Sequence, residues 1–218
     1  MASSSAKTDR EPSIHATEFV WDAAHATGAH RYLASPVCAL LAAARVRTVL
    51  DLGCGNGAMT ARLAAEGYEV SGCDNSVSGL EIARAALPAA TLFRHDVATD
   101  LPPSQVGRYD AVVSTEVIEH LLLPRTLMRN AFRALKPGGL FVATTPYHGY
   151  VKNLLLALMN KFDDHWHPLR DYGHVKFFSR RTLTRLFAES GFEDVRYSTA
   201  GRVPPVACSM VASGTKPL

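Results

Sequence analysis

The chain has no apolar run approaching the roughly 20 residues that a membrane-spanning helix requires. Its apolar runs, such as Leu154–Met159, are a fraction of that. Net charge is also scarce: 23 Lys and Arg against 20 Asp and Glu leave +3 over 218 residues. That excludes a strongly basic nucleic-acid binder held by phosphate neutralisation, though not a small local patch. The four cysteines, Cys38, Cys54, Cys73 and Cys208, form no CxxC pair. A zinc–thiolate site is therefore not expected, and a reducing cytoplasm is the natural compartment. The first residues, Met1–Ser13, lack the apolar core of a secretory signal, and Lys7 and Arg10 are balanced by Asp9 and Glu11. There is no internal repeat and no long linker. What is present is a composition of 47% hydrophobic and 20% charged residues, enough for one globular domain with its own core. A polar, Ser-rich tail over residues 1–15 is expected to be disordered, and residues 16–218 to form the domain.

Helical periodicity over Phe19–Ala44 predicts one or two helices. A βα alternation then begins. Val46–Leu52, Tyr68–Cys73, Ala90–Arg94, Tyr109–Ser114 and Leu140–Thr145 read as short buried strands. Between them, Gly57–Gly67, Ser76–Leu87 and Leu121–Leu135 read as helices, the last interrupted by Pro124 and closed by the Pro137-Gly138-Gly139 turn. Ser179–Ser190 is a further helix, and Glu193–Thr199 and Ala207–Gly214 are two final strands. The pattern implies an α/β fold with a doubly wound, mostly parallel sheet of seven strands. The connection between the last two strands is too short for a parallel crossover, so one of them runs antiparallel. Pro146–Lys176 breaks the alternation. It carries a helical stretch, Val151–Phe162, and reads as a helical lid insertion.

Three places carry chemistry. Asp51-Leu52-Gly53-Cys54-Gly55-Asn56-Gly57 follows the first strand and opens a helix. Alternate glycines let a ligand lie against bare amides at a helix N-terminus. An unliganded βα turn is the plain alternative, and with Ala58 the loop also meets the looser dinucleotide fingerprint. Asp51 would repel a pyrophosphate but welcome an ammonium. Asp74 ends the second strand, where a carboxylate can accept both hydroxyls of a ribose. Asp96, after the third strand, is placed to meet an adenine amino group; alone, each would read as a turn residue. The second place is Thr115-Glu116-Val117-Ile118-Glu119-His120-Leu121. At helical spacing Glu116, Glu119 and His120 share one face, offering two carboxylates and an imidazole to a divalent metal. A helix start with dipole-favoured Glu residues is the alternative. The third is His174, in Gly173-His174-Val175-Lys176-Phe177.

Together, VLDLGCGNG, Asp74, the Asp96 loop, YDAVVSTEVIEHL and the LKPGG turn resemble the class I S-adenosylmethionine-dependent methyltransferases, from about Phe19 to Lys216. The resemblance implies the Rossmann-like methyltransferase fold. It also implies a cofactor site at Asp51, Gly53, Gly55, Asp74 and Asp96, with Cys54, Asn75, Val97 and Glu116 beside them. EVIEH followed by H-x-K-F is similar to two branches, the ubiquinone-biosynthesis O-methyltransferases and the small-RNA 3′-terminal 2′-O-methyltransferases. The second branch implies Glu116, Glu119, His120 and His174 as ligands of Mg²⁺, Mn²⁺, Fe²⁺ or Zn²⁺. Without a metal, His120 or His174 would be the general base; Glu116, His120 and His174 are the catalytic candidates.

Tyr147, His148, Trp166 and His167 make the lid aromatic and are the candidates for acceptor contact, with the Leu154–Met159 stripe expected in the core. Trp21, His25, His30 and Tyr32 are candidates to close the cofactor cleft. The expected function is methyl transfer from S-adenosylmethionine to a hydroxyl of a small, aromatic or hydrophobic molecule. Nucleic acid is not an expected partner. An RNA 2′-hydroxyl, an N, C or S acceptor, a non-catalytic cofactor binder and an NAD-dependent dehydrogenase remain the alternatives.

Overall fold

In a computed structural model of the chain, residues 20–21, 28–166, 169 and 172–218 are described. The expected disordered tail, His25 and His167 lie outside the described residues. The chain runs α1 (Gly28–Ala43), β1 (Thr48–Leu52), α2 (Ala58–Ala65), β2 (Glu69–Asp74), α3 (Val77–Ala86), β3 (Thr91–Arg94) and β4 (Tyr109–Thr115). It continues through α4 (Pro124–Ala134), β5 (Leu135–Pro146), α5 (Tyr150–Leu158), α6 (Phe162–Trp166), α7 (Arg180–Glu189), β6 (Glu193–Ala200) and β7 (Ser209–Thr215). The strands form one seven-stranded sheet in the order β3-β2-β1-β4-β5-β7-β6. β1 to β5 are parallel, and β7 is antiparallel to both β5 and β6. The α/β fold, the strand number and the antiparallel turn at the end are as expected.

The central strands β1 and β4 are covered on both faces, which is why they are nearly apolar throughout, while the edge strands β3 and β6 are partly exposed. Alternation along β1 sends Leu50 and Leu52 into the cluster with Phe141 and Phe187. It sends Val49 to the opposite face, with Leu33, Val37 and Leu41 of α1 and Met59 and Leu63 of α2. Asp51 shares that second face and is fully buried. Strand order reverses between β1 and β4, so the loops after these strands diverge and leave a crevice at their carboxyl ends. The glycine loop and the Glu116 segment both sit there.

Several expectations need correction. Pro124 does not interrupt a helix; it starts α4, where a missing N–H costs nothing and the proline φ suits the first turn. The segment before it, Leu121–Leu123, is not helical, and Leu122 and Leu123 are exposed. β5 begins at Leu135, with Pro137-Gly138-Gly139 as an irregularity inside it: Tyr109 pairs with Leu135, then Ala111 with Leu140. The single lid helix is two helices, α5 and α6. The leucine stripe is not core, since α5 buries no residue.

Candidate active site

The glycine loop turns through three left-handed positions, Gly53, Gly55 and Gly57, with φ of 88°, 52° and 80°. L side chains rarely adopt these angles. A Cβ at Gly53 would lie 2.6 Å from Val117 Cγ2, and one at Gly55 would lie 2.5 Å from Trp21 Cζ2. The loop is bound to β2: the amides of Gly53 and Cys54 both donate to the Cys73 carbonyl, at 2.8 and 2.9 Å. Asp74 extends this link, accepting from Gly55 N and Ser76 N, each at 2.8 Å. Burial raises the Asp74 pKa, against the pull of these amides.

Asp51 lies beneath the loop. Its Oδ2 accepts from Thr60 Oγ1 of α2 at 2.7 Å, while Oδ1 has no partner. Burial pushes its pKa up to about 7; the Thr60 hydroxyl lowers it and the Asp74 charge adds to the rise. A buried carboxylate oxygen without a donor is a strained acceptor, and a cation is its natural complement. Asp96 Oδ1 caps a tight turn, accepting from Ala98 N at 2.8 Å. The loop that carries it is held by Asn130 of α4, which is fully buried. Asn130 Nδ2 donates to the Val97 and Thr99 carbonyls, and its Oδ1 accepts from Leu101 N, at 3.1, 2.6 and 3.0 Å. Trp21 packs against Gly55 and Gly79, with its amide donating to Ser78 Oγ at 3.0 Å.

The EVIEH segment is not an α-helix. Glu116 takes a left-handed φ of 55°, and only a 3-10 turn, Ile118–His120, follows. Glu116, Glu119 and His120 therefore do not share one helical face as expected. Glu116 instead turns to the far strands: its carboxylate accepts from Thr144 Oγ1 of β5 at 2.9 Å and Ser209 Oγ of β7 at 3.2 Å. Burial raises its pKa to about 7. Glu119 is almost fully buried. Its Oε2 accepts from Thr145 Oγ1 at 2.9 Å, and its Oε1 has no hydrogen-bond partner. Burial, then the neighbouring Glu116, drives its pKa well above the carboxylate range.

The Gly173–Lys176 segment folds back on this turn. The amides of Val175 and Lys176 both donate to the Glu119 carbonyl at 2.9 Å. This brings His174 Nε2 to 4.0 Å from Glu119 Oε1, and the His174 and His120 rings meet edge to face with centroids 4.8 Å apart. His120 Nδ1 is 3.0 and 3.2 Å from the carbonyls of Tyr172 and Gly173. Both partners are acceptors, so Nδ1 carries the proton and the lone pair of the neutral ring sits on Nε2. Glu119, His120 and His174 thus present ligand atoms within 4.8 Å of one another, and Glu116 falls outside this group.

A cavity of about 370 Å³ opens beside Glu116 and His174. Its apolar walls come from Leu155 and Leu156 of α5, Met159 and Val206, and Tyr32 of α1 closes another side. Tyr32 shares a hydrogen bond with Ser209 at 3.0 Å. Tyr147, His148 and Trp166 are not among the lining residues. Trp166 stacks on Phe162 instead and packs with His148 and Phe177, so the lid aromatics mostly contact one another. Burial, with the charges of Lys152, His165 and His174, lowers the His148 pKa to about 4. Lys152 and Arg202, which also line the cavity, were not foreseen. Lys152 is the one charged residue of the leucine-rich α5, a signal available in the sequence; Arg202 reaches the site from a distant loop and left none.

A family model described as a methyltransferase domain matches residues 25–197. The ubiquinone biosynthesis O-methyltransferase of Idiomarina loihiensis is 30% identical over 155 residues, covering 68% of this chain and 63% of that protein. The enzyme of the same name from Ruegeria pomeroyi is 30% identical over 151 residues, covering 67% and 60%. The chain thus spans a little over half the length of these relatives. Among solved structures, the methyltransferase domain of the bacterial protein CtHen1-CN superposes with a TM-score of 0.65 at 22% identity, covering 84% of this chain and 97% of that one. A putative methyltransferase from Bacillus halodurans superposes with a TM-score of 0.63 at 17% identity, covering 84% and 100%. With the family match spanning residues 25–197, most of the chain, and solved methyltransferases sharing its fold, the protein belongs to the methyltransferase domain family.

Proposed function

We propose that the protein transfers a methyl group from S-adenosylmethionine to a hydroxyl oxygen of a small molecule with an apolar body. The observation that carries this reading is the 370 Å³ cavity that has Glu116 and His174 on its wall, at the end of the sheet where the glycine loop emerges. In this reading Asp51 receives the donor's ammonium, Asp74 its ribose and the Asp96 loop its adenine, with Gly53, Cys54, Gly55, Asn75 and Val97 forming the bed between them. The sulfonium supplies an electrophilic methyl, and the acceptor must be held in line with it and relieved of its proton. Apolar walls exclude water from that line. The names of the ubiquinone-biosynthesis relatives support oxygen as the acceptor atom.

The residues fit a divalent cation. Glu119 Oε1 is buried without a donor, and His120 is held in the tautomer that turns Nε2 outward as a ligand. Glu119, His120 and His174 would hold the ion, a mixed oxygen and nitrogen set suited to Mg²⁺, Mn²⁺, Fe²⁺ or Zn²⁺. Such an ion supplies Lewis acidity that lowers the pKa of an acceptor hydroxyl. One second reading has its own support. His174 lines the cavity and lies 4.0 Å from Glu119 Oε1, so a carboxylate-oriented His174 can serve as a base by itself. The free thiols of Cys38, Cys54, Cys73 and Cys208 agree with a cytoplasmic location.

The test incubates the protein with S-adenosylmethionine and a panel of phenols, catechols and aliphatic alcohols, following S-adenosylhomocysteine and the O-methyl product by mass spectrometry. O-methylation abolished by His174→Ala supports the reading. Methylation confined to amines, thiols or RNA ends overturns it.

A further inference from the structure

The acceptor cavity has a charge that the reaction does not require. Lys152 and Arg202 line it together with His165 and His174. Among the described residues neither Lys152 nor Arg202 makes an ion pair or a side-chain hydrogen bond. Several exposed cations pair, Arg47 with Glu69, Arg62 with Glu66, Arg125 and Arg185 with Glu189, and Arg129 with Asp100, whereas the half-buried Lys152 does not. Lys152 is half-buried on a helix whose other pocket-facing residues are leucines. An ammonium taken out of water without a counter-charge is costly, and a second cation facing the same space adds repulsion.

Among the described residues the one carboxylate that lines the cavity is Glu116, and its two oxygens already accept from Thr144 and Ser209 rather than from Lys152 or Arg202. The Lys152 ammonium registers the mismatch. Burial lowers its pKa and Arg202 lowers it further, while Cys208 and Glu116 pull the other way. A cavity with apolar walls and two unmatched cations is complementary to an amphiphilic anion.

On the reading that this cavity receives the methyl acceptor, we infer that the acceptor carries an oxyanion, a carboxylate or a phosphate, held by Lys152 and Arg202 while its apolar body lies along Leu155, Leu156 and Met159. The two basic residues are specificity determinants: they touch the acceptor away from the reacting hydroxyl and select it from neutral analogues of the same shape. Selection of this kind is effective because the neutral analogue leaves the half-buried Lys152 ammonium unpaired beside the exposed Arg202.

The test is calorimetric titration of the protein saturated with S-adenosylhomocysteine, using three probes of one apolar body: 4-phenylbutyrate, 3-phenylpropyl phosphate and the neutral 4-phenylbutanamide. The anions are expected to bind at least about tenfold more tightly than the amide, and the stronger of the two identifies the oxyanion. In Lys152→Met and Arg202→Met this preference should shrink severalfold, and in the double variant it should vanish. Affinity for S-adenosylhomocysteine should stay within about twofold in all three variants, which also reports that they fold. The inference is overturned by equal affinity for anion and amide, by a preference that survives the double variant, or by the absence of saturable binding of any probe. It is equally overturned if the variants lose S-adenosylhomocysteine instead, for the cations would then serve the cofactor. Loss of S-adenosylhomocysteine binding by the unmodified protein would sink the methyltransferase assignment itself, so the two failures are distinct.

Discussion

With the cofactor's ammonium placed against Asp51 as proposed, affinity for the cofactor depends on pH in a calculable way. In the free protein its carboxyl is buried, has one unpartnered oxygen and titrates at about 7, so below neutrality it is mostly protonated. A ligand ammonium at Oδ1 needs the ionised form, so binding must expel the proton. For one linked proton the apparent dissociation constant scales as one plus the ratio of protonated to ionised Asp51. With a pKa of about 7, affinity for S-adenosylhomocysteine is expected to fall about tenfold from pH 8 to pH 6, or about 1.4 kcal/mol. Asp51→Asn should flatten this component, leaving only any titration of the probe or of Asp74. The variant should also bind more weakly at pH 8, because a charge-assisted hydrogen bond is lost, at a cost of about 1.5–3 kcal/mol. Stability changes in the opposite sense. A folded-state pKa raised above the ordinary carboxylate value means the native state holds a proton the unfolded chain has released, so stability falls as pH rises from about 4 to about 7. Asp51→Asn should therefore raise the melting temperature of the ligand-free protein at pH 8 while weakening the ligand. Calorimetric titrations across pH in several buffers read both the slope and the released proton. A slope identical in the two proteins would refute the placement of the ammonium against Asp51.

The remaining predictions concern the other supports of the site. Exhaustive chelation should abolish methyl transfer yet leave S-adenosylhomocysteine affinity nearly intact, and Glu119→Ala and His174→Ala should each mimic it without adding to one another; full turnover in chelator would leave His174 as a metal-free base. Asn130→Ala should cost about 2–4 kcal/mol in denaturant unfolding, since it strands the buried Leu101 amide and two carbonyls, and it should weaken cofactor binding by loosening the Asp96 loop. An unchanged midpoint would show that the loop does not depend on it. Gly55→Val should eliminate S-adenosylhomocysteine binding, because a β-branched residue at φ 52° is strained and its Cβ meets Trp21; wild-type affinity would mean that the ligand avoids the loop.

The centre of the parallel sheet was legible because β1 and β4 are buried on both faces and therefore read as nearly continuous apolar runs. Val49 to Leu52 is the clearest case, and the adjoining loop could be read residue by residue because three glycines at alternate positions have few other uses. The EVIEH segment was misread for a physical reason. Its i, i+3, i+4 spacing suits a helix, but Val117 is drawn toward Gly53 and Glu116 toward Thr144 and Ser209, and these long-range partners impose a left-handed residue and a short turn. Tertiary bonding overrode the local period. Glu119, His120 and His174 still converge, but through amides donated to the Glu119 carbonyl rather than through a helical face. The lid was the least legible part. Its leucines are spaced like a core helix, yet α5 faces a cavity instead of the sheet, and a periodicity cannot distinguish those two destinations. Arg202 comes from a loop some fifty residues beyond Lys152, so nothing local in the chain announces that they line one space.

The chain contains two tryptophans, and on the proposed placement of donor and acceptor they fall to the two halves of the reaction. Trp21 rests on Gly55 and Gly79 at the donor side. Trp166 belongs to the ring cluster of the lid, with Phe162, His148 and Phe177. The protein therefore carries its own optical reporters, one for each substrate. Emission from Trp21, isolated by Trp166→Phe, should respond to the donor, and emission from Trp166, isolated by Trp21→Phe, to movement of the lid over the acceptor. Stopped-flow fluorescence on these two single-tryptophan proteins would give the order in which the substrates arrive and the rate at which the lid follows, with no label added.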